Sequence, residues 1–252
     1  MRLGTLLKKE LLESWRTYRA VVLGVVFVVF GILSPAAARY MPDIFAATDM
    51  QQGVVIQLPP PAVADANVQF VKNMSQIGAI VVILIAMGVV SRERDKGTVA
   101  FTLSKPVPRG AFLLAKALAL VIVTWAALAL AALAHWYYTR LLLGPLPLGD
   151  CAAMAALTGV YLTALLGITF LGSTLTRSLA VSAAVGFGGY LLISLLGSIP
   201  RLAPYLPGDL LGRALAAGNG ALQMAWGGLV SAVVIAVGCW ALAWAVFRRV
   251  EL

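Results

Sequence analysis

The sequence predicts an all-α integral membrane protein with six transmembrane helices and an amphipathic interfacial helix at its N-terminus. Three observations carry this. Of 252 residues, 61% are hydrophobic and 12% charged, about half the charge of an ordinary soluble domain. The apolar residues gather into six long uncharged runs. The formal net charge of +9 falls on one side once those runs are threaded through a bilayer. An ordinary soluble enzyme, a disordered chain and a nucleic-acid binder are excluded, and no nucleic acid is expected as a partner.

Residues 2–19 place Leu3, Leu6, Leu7, Leu11, Trp15 and Tyr18 at spacings of three and four, with Lys8, Lys9, Glu13 and Arg16 on other faces. That pattern suits a helix lying in the membrane interface, because its apolar stripe would otherwise face water. Crossing the hydrocarbon core takes about 20 apolar residues, which places spans at about 20–38, 74–91, 116–138, 151–176, 178–199 and 222–247. The third run is uncharged from Ala117, with Lys116 at its inner edge, and Gly218-Asn219-Gly220 delays the start of the sixth. Ala36-Ala37-Ala38 after a basic start resembles a signal-peptide cleavage site, but the long helical stretch before it favours an uncleaved span. Residues 39–72, with Pro59, Pro60 and Pro61, read as an external loop.

With the N-terminus inside, the inner segments carry fourteen basic residues against five acidic ones, whereas the outer segments carry five of each. The whole excess lies inside, so both termini are expected to be cytoplasmic in a multi-pass protein of the cytoplasmic (inner) membrane. The chain reads as one transmembrane domain, because neither the 39–72 loop nor the 92–110 loop can build a core of its own.

The 92–110 loop is the most informative segment. Gly97 can end the second span in a left-handed cap, Thr98 can cap a short helix over Val99–Leu103, and Pro106 stops it. Pro108 suits the first turn of the next span. A plain topological turn needs only a few residues; this one is an ordered series of breaks and caps.

Glu93-Arg94-Asp95-Lys96-Gly97-Thr98, then Leu103-Ser104-Lys105-Pro106-Val107-Pro108-Arg109 and Leu114-Ala115-Lys116, resemble the E-x-x-x-G-T … L-S-x-P-V-x-R … L-x-x-K pattern of ABC-2-type permeases, the membrane subunits of many bacterial ABC exporters. The resemblance implies an ABC-2 permease-like fold. It makes the 92–110 loop a coupling helix seated on a separate cytoplasmic ABC ATPase, and it implies pairing with a second permease subunit, identical or closely paralogous. By position it makes Glu93, Gly97, Thr98, Pro106 and Arg109 ATPase-coupling residues, with Arg177 in a second, smaller contact. The run Arg94-Asp95-Lys96 is a departure that makes this loop charge-dense.

The chain holds no Gly-Lys dipeptide and so no P-loop. ATP and Mg are expected on the partner, and no cofactor, metal or catalytic residue on this chain. One His and two Cys are too few for an intramembrane metalloprotease or a zinc cage. An ion-gradient-driven secondary transporter is the alternative function. Its expected intramembrane ionisable group has one candidate, His135, which reads instead as part of an interfacial aromatic anchor with Trp136, Tyr137 and Tyr138. Cys151 and Cys239 lie too far apart along their helices to pair. Gly159, Thr163 and Gly167, and Gly228, Ala232 and Ala236, form small-residue faces suited to close helix packing. The uncharged spans favour an apolar or amphipathic cargo, exported by analogy with the family.

Overall fold

The computed structural model describes residues 3–49, 60–97, 108–222 and 226–249. Helix α1 (Leu3–Arg16) turns at Thr17-Tyr18, where Tyr18 has a φ of 60°, into α2 (Arg19–Asp49). The next crossing is assembled from α3 (Val63–Asn73), a π-helical turn at Met74–Gly78 and α4 (Ala79–Ala86), with α5 (Ser91–Asp95) after a break. Then come α6 (Arg109–Leu142), α7 (Leu148–Leu175), α8 (Leu179–Gly197), a 3-10 turn at Ala203–Tyr205, α9 (Asp209–Gly218) and α10 (Trp226–Arg249). Among the described residues, six stretches are long and apolar enough to cross a membrane: Arg19–Ile44, Val63–Asp95, α6, α7, α8 and α10.

Much of the expected external loop is helical. Helix α2 continues past Ala38 to Asp49 through Pro35 and Pro42, and α3 begins at Val63. Arg39 marks the edge of the apolar slab but does not end the helix; it forms an i,i+4 pair with Asp43 at 3.1 Å. Both prolines lie inside the continuous helix. Beside Pro35, the Ser34 hydroxyl donates to the Phe30 carbonyl at 2.6 Å and accepts from Asn73 Nδ2 at 3.0 Å. After Pro60-Pro61, the Ala62 N–H donates to Asp65 Oδ2 at 2.9 Å and starts α3.

Helix α7 is central, 61% buried along its apolar window, whereas α10 is only 11% buried. Tyr161, Leu162 and Leu165 of α7 sit in the core with Phe27, Phe70, Ile83 and Leu128. In lipid, helices associate through close packing and not through expulsion of water, so small residues set the approach. A Cβ on Gly167 would lie 2.9 Å from Ala236 Cα, so the small-residue faces of α7 and α10 meet. The tightest crossing is α2 on α6, where a Cβ on Gly31 would lie 2.5 Å from the Ala131 carbonyl oxygen.

The end of the bundle away from α1 is pinned by neutral polar groups. Asn67 on α3 donates from Nδ2 to the Gly218 carbonyl at 2.8 Å and to Asn219 Oδ1 at 3.0 Å, and its Oδ1 accepts from His135 Nε2 at 3.0 Å. His135 is therefore not an interfacial anchor. It is fully buried and packs on Phe70 at 4.5 Å, because α3 covers the face of α6 that the sequence leaves looking open. Trp136 donates to the Leu146 carbonyl at 2.9 Å, with Arg140 over its ring. Cys151 and Cys239 are both free thiols.

Gly31→Val should destabilise the folded chain by about 1–3 kcal/mol, since backbone cannot yield to a forced Cβ. Gly24→Ala, whose Cβ meets nothing within 4 Å, should be tolerated. Reversible unfolding in detergent compares the two.

Candidate functional site

The charged residues at the α1 end converge on Lys116. It lies near the start of α6, and its ammonium reaches Glu10 Oε2 on α1 at 2.9 Å and Glu93 Oε1 on α5 at 2.8 Å. The Lys116 side chain is 1% exposed. Below it, the Phe112 ring presents its face at 5.0 Å, which favours a cation electrostatically. Lys9 extends the chain of charges, 3.6 Å from Glu10 Oε1 and 3.8 Å from Glu13 Oε2. Glu10, Glu13 and Glu93 bring carboxylate oxygens within 4.8 Å of one another, a spacing suited to a cation, and the Lys116 ammonium bonds two of the three.

Local sequence explains how these groups meet. Leu6 and Glu10 lie one turn apart on α1, so they share a face, and both are buried. Phe112 and Lys116 are likewise one turn apart on α6, and Phe112 stacks on Phe247 of α10 at 5.9 Å. Glu93 arrives because the second crossing breaks at Met87–Val90 and restarts as α5. The break leaves backbone donors inside the protein, where an unpaired one costs several kcal/mol. The Ser173 hydroxyl on α7 accepts from both Val90 N–H and Ser91 N–H, at 3.0 and 3.1 Å. Arg94 donates to the Thr174 carbonyl one residue further on.

Of the residues expected to couple, Glu93 is half-buried and bound to Lys116. Gly97 follows α5 with a φ of 67°, the left-handed conformation that suits glycine. Arg109 donates to the Arg248 carbonyl at 2.9 Å, joining the first turn of α6 to the last turn of α10. Arg177 is exposed in the turn between α7 and α8, close enough to Arg94 for the two cations to repel. Thr98, Pro106 and the short helix expected at Val99–Leu103 lie outside the described residues. Glu93, Gly97, Arg109 and Arg177 thus share the α1 end, and the first three are joined to it by hydrogen bonds or by direct continuity with α5.

Sequence reasoning missed Glu10 and the burial of Lys116. Both carried a signal. Glu10 interrupts the apolar stripe of an otherwise regular amphipathic helix, and Lys116 stands between Leu113-Leu114-Ala115 and Ala117-Leu118. A charge amid apolar neighbours on two separate helices points to a pair.

Lys116→Met should cost about 3–5 kcal/mol of stability, because it leaves Glu10 and Glu93 facing each other in a dry site. Combining it with Glu10→Gln and Glu93→Gln should recover most of that loss. Unfolding of the single and triple variants in detergent checks this; equal losses would mean the three groups do not interact.

Comparison with known proteins identifies the family. A family model described as ABC-2 family transporter protein matches residues 5–206, which include Glu10, Glu93, Lys116 and Ser173. The chain is also 28% identical over 207 residues to the uncharacterized transmembrane protein YxlG of Bacillus subtilis (strain 168), covering 81% of this chain and 80% of that protein. This multi-pass membrane chain belongs to the ABC-2 family of transporter proteins.

Proposed function

We infer that the chain is the permease subunit of an ABC exporter, driven by a separate cytoplasmic ATPase that seats against the segment beginning at Ser91. Membership of the family makes it a membrane transport component that partners an ABC ATPase. The observation that carries the finer reading is the Lys116 junction. It ties the start of that segment to α1 and to the third crossing, so a push on Glu93 is delivered to two other helices at once. A buried, hydrogen-bonded ion pair transmits such a push because breaking it costs several kcal/mol. ATP binding on the partner would then bias a two-state movement of the crossings, with Ser173 and Thr174 carrying it to α7.

The placement of fourteen of nineteen cations in the inner segments supports cytoplasmic termini and residence in the cytoplasmic membrane. The exposed apolar faces of α8 and α10 leave room for lipid and a second permease copy. An apolar or amphipathic cargo is supported by a cavity of about 280 Å³ between α6, α7 and α10, lined by residues including Leu118, Val121, Phe170, Val237 and Trp240. The buried Trp240 indole N–H has no partner among the described residues.

The test is gentle purification of the tagged chain from its native host with mass spectrometry of what accompanies it. A stoichiometric P-loop ATPase is expected. Gly97→Val, whose Cβ meets nothing within 4 Å but whose φ disfavours any side chain, and Arg177→Glu should each weaken that association about tenfold or more without reducing membrane insertion. A lone chain, inactive with candidate ATPases and driven by an ion gradient, would replace this reading with a secondary transporter.

A further inference from the structure

A cleft of about 450 Å³ opens between α1, the start of α2 and the inner end of the second crossing. Its charged lining consists of Lys9, Glu13, Arg19, Arg92, Glu93 and Lys96. Glu93 is held by Lys116, and Lys9 is paired with Glu10 and Glu13. Arg19, Arg92 and Lys96 have no charged or hydrogen-bonding partner among the described residues. Counting the cleft together with the junction behind it, five cations (Lys9, Arg19, Arg92, Lys96 and Lys116) face three carboxylates (Glu10, Glu13 and Glu93). Two positive charges are left over in one concavity.

The cleft is shaped around one of these cations. A Cβ on Gly88 would lie 2.7 Å from Arg92 Nε and 3.0 Å from its Cδ, so the missing side chain is what lets Arg92 lie back over the break. Along α1 and its elbow, other apolar and aromatic side chains are exposed: Leu12 is 48% exposed, Trp15 66% and Tyr18 70%. A helix with such residues beside basic ones lies at the depth of lipid headgroups. The anion concentrated at that depth is the phosphate of a phospholipid, and a guanidinium matches its oxygens in a two-pronged hydrogen bond.

We propose that this cleft binds the phosphate headgroup of an anionic phospholipid, clamped between Arg19 on α2 and Arg92 and Lys96 around α5. The bound lipid bridges the elbow between α1 and α2 to the segment that follows the second crossing. It neutralises the excess charge of the Arg94-Asp95-Lys96 region without occupying the Lys116 junction. The proposal is independent of the ATPase.

The full chain is reconstituted in nanodiscs of equal phosphatidylglycerol and phosphatidylcholine, and the lipids that remain bound are counted by native mass spectrometry. Nanodiscs expose both faces, so the result does not depend on which way the chain is oriented in the cell. Phosphatidylglycerol should be enriched roughly tenfold over phosphatidylcholine, given the attraction per basic residue at a membrane surface. The double variant Arg92→Gln/Lys96→Gln, both exposed side chains, should return the ratio to that of the bulk lipid. Arg140→Gln/Arg201→Gln, cations at the other end of the bundle, should leave the enrichment intact. No enrichment in the unmodified chain, or equal enrichment in the Arg92/Lys96 variant, would overturn the proposal. Binding of inorganic phosphate in phosphatidylcholine discs, lost in the same variant and as tight as the lipid, would overturn the lipid assignment.

Discussion

Burying one lysine organises the α1 end of this protein. An ammonium removed from water is costly unless its charge is met and its donors are used. Lys116 meets that demand with carboxylates from two segments far apart in sequence, at 2.9 and 2.8 Å. The amphipathic N-terminal helix cannot leave the bundle, and the segment after the second crossing cannot leave α6, without exposing a charge to a dry interior. The Ser173 hydroxyl adds a second, neutral attachment by accepting both donors freed at the helix break. The segment through Ser91–Asp95 is thus anchored on α6 by charge and on α7 by hydrogen bonds.

The two ends of the bundle are built from different chemistry. Away from α1, the buried polar cluster is neutral: Asn67 joins α3 to the turn after α9 and to His135, with no formal charge in the cluster, and the ion pairs Arg39–Asp43 and Arg213–Asp209 join residues one turn apart on the same helix. Neutral hydrogen bonds fix geometry while leaving the apolar middle uncharged. Between the ends, the helices approach through glycine and alanine, as at Gly31 against Ala131 and Gly167 against Ala236. The buried charges are concentrated at the α1 end, and close packing of small residues dominates between the ends.

Hydropathy made the membrane class and the six crossings legible, because runs such as Ala117–Tyr138 have no soluble reading. The motif from Glu93 to Lys116 made the family legible. Helix ends were less so: α2 runs past Arg39 and through two prolines, since the first charge marks the edge of the slab and says nothing of the backbone beyond it. His135 looked interfacial because its sequence neighbours are aromatic, whereas its surroundings are set by α3, which the sequence leaves inside a loop. The Lys116 junction was hidden for a different reason. Each member is an ordinary charge on its own helix, and only the packing of α1 against α6 turns them into one buried group.

Lys116 holds α1 and α5 as one piece. The direct measurement is a spin-label distance between Leu12 on α1 and Asp95 on α5, both exposed, in a chain with Cys151 and Cys239 replaced by alanine. One narrow distance distribution is expected, broadened when Lys116→Met is added. A distribution already broad in the presence of Lys116, or one unaltered by its removal, would contradict it.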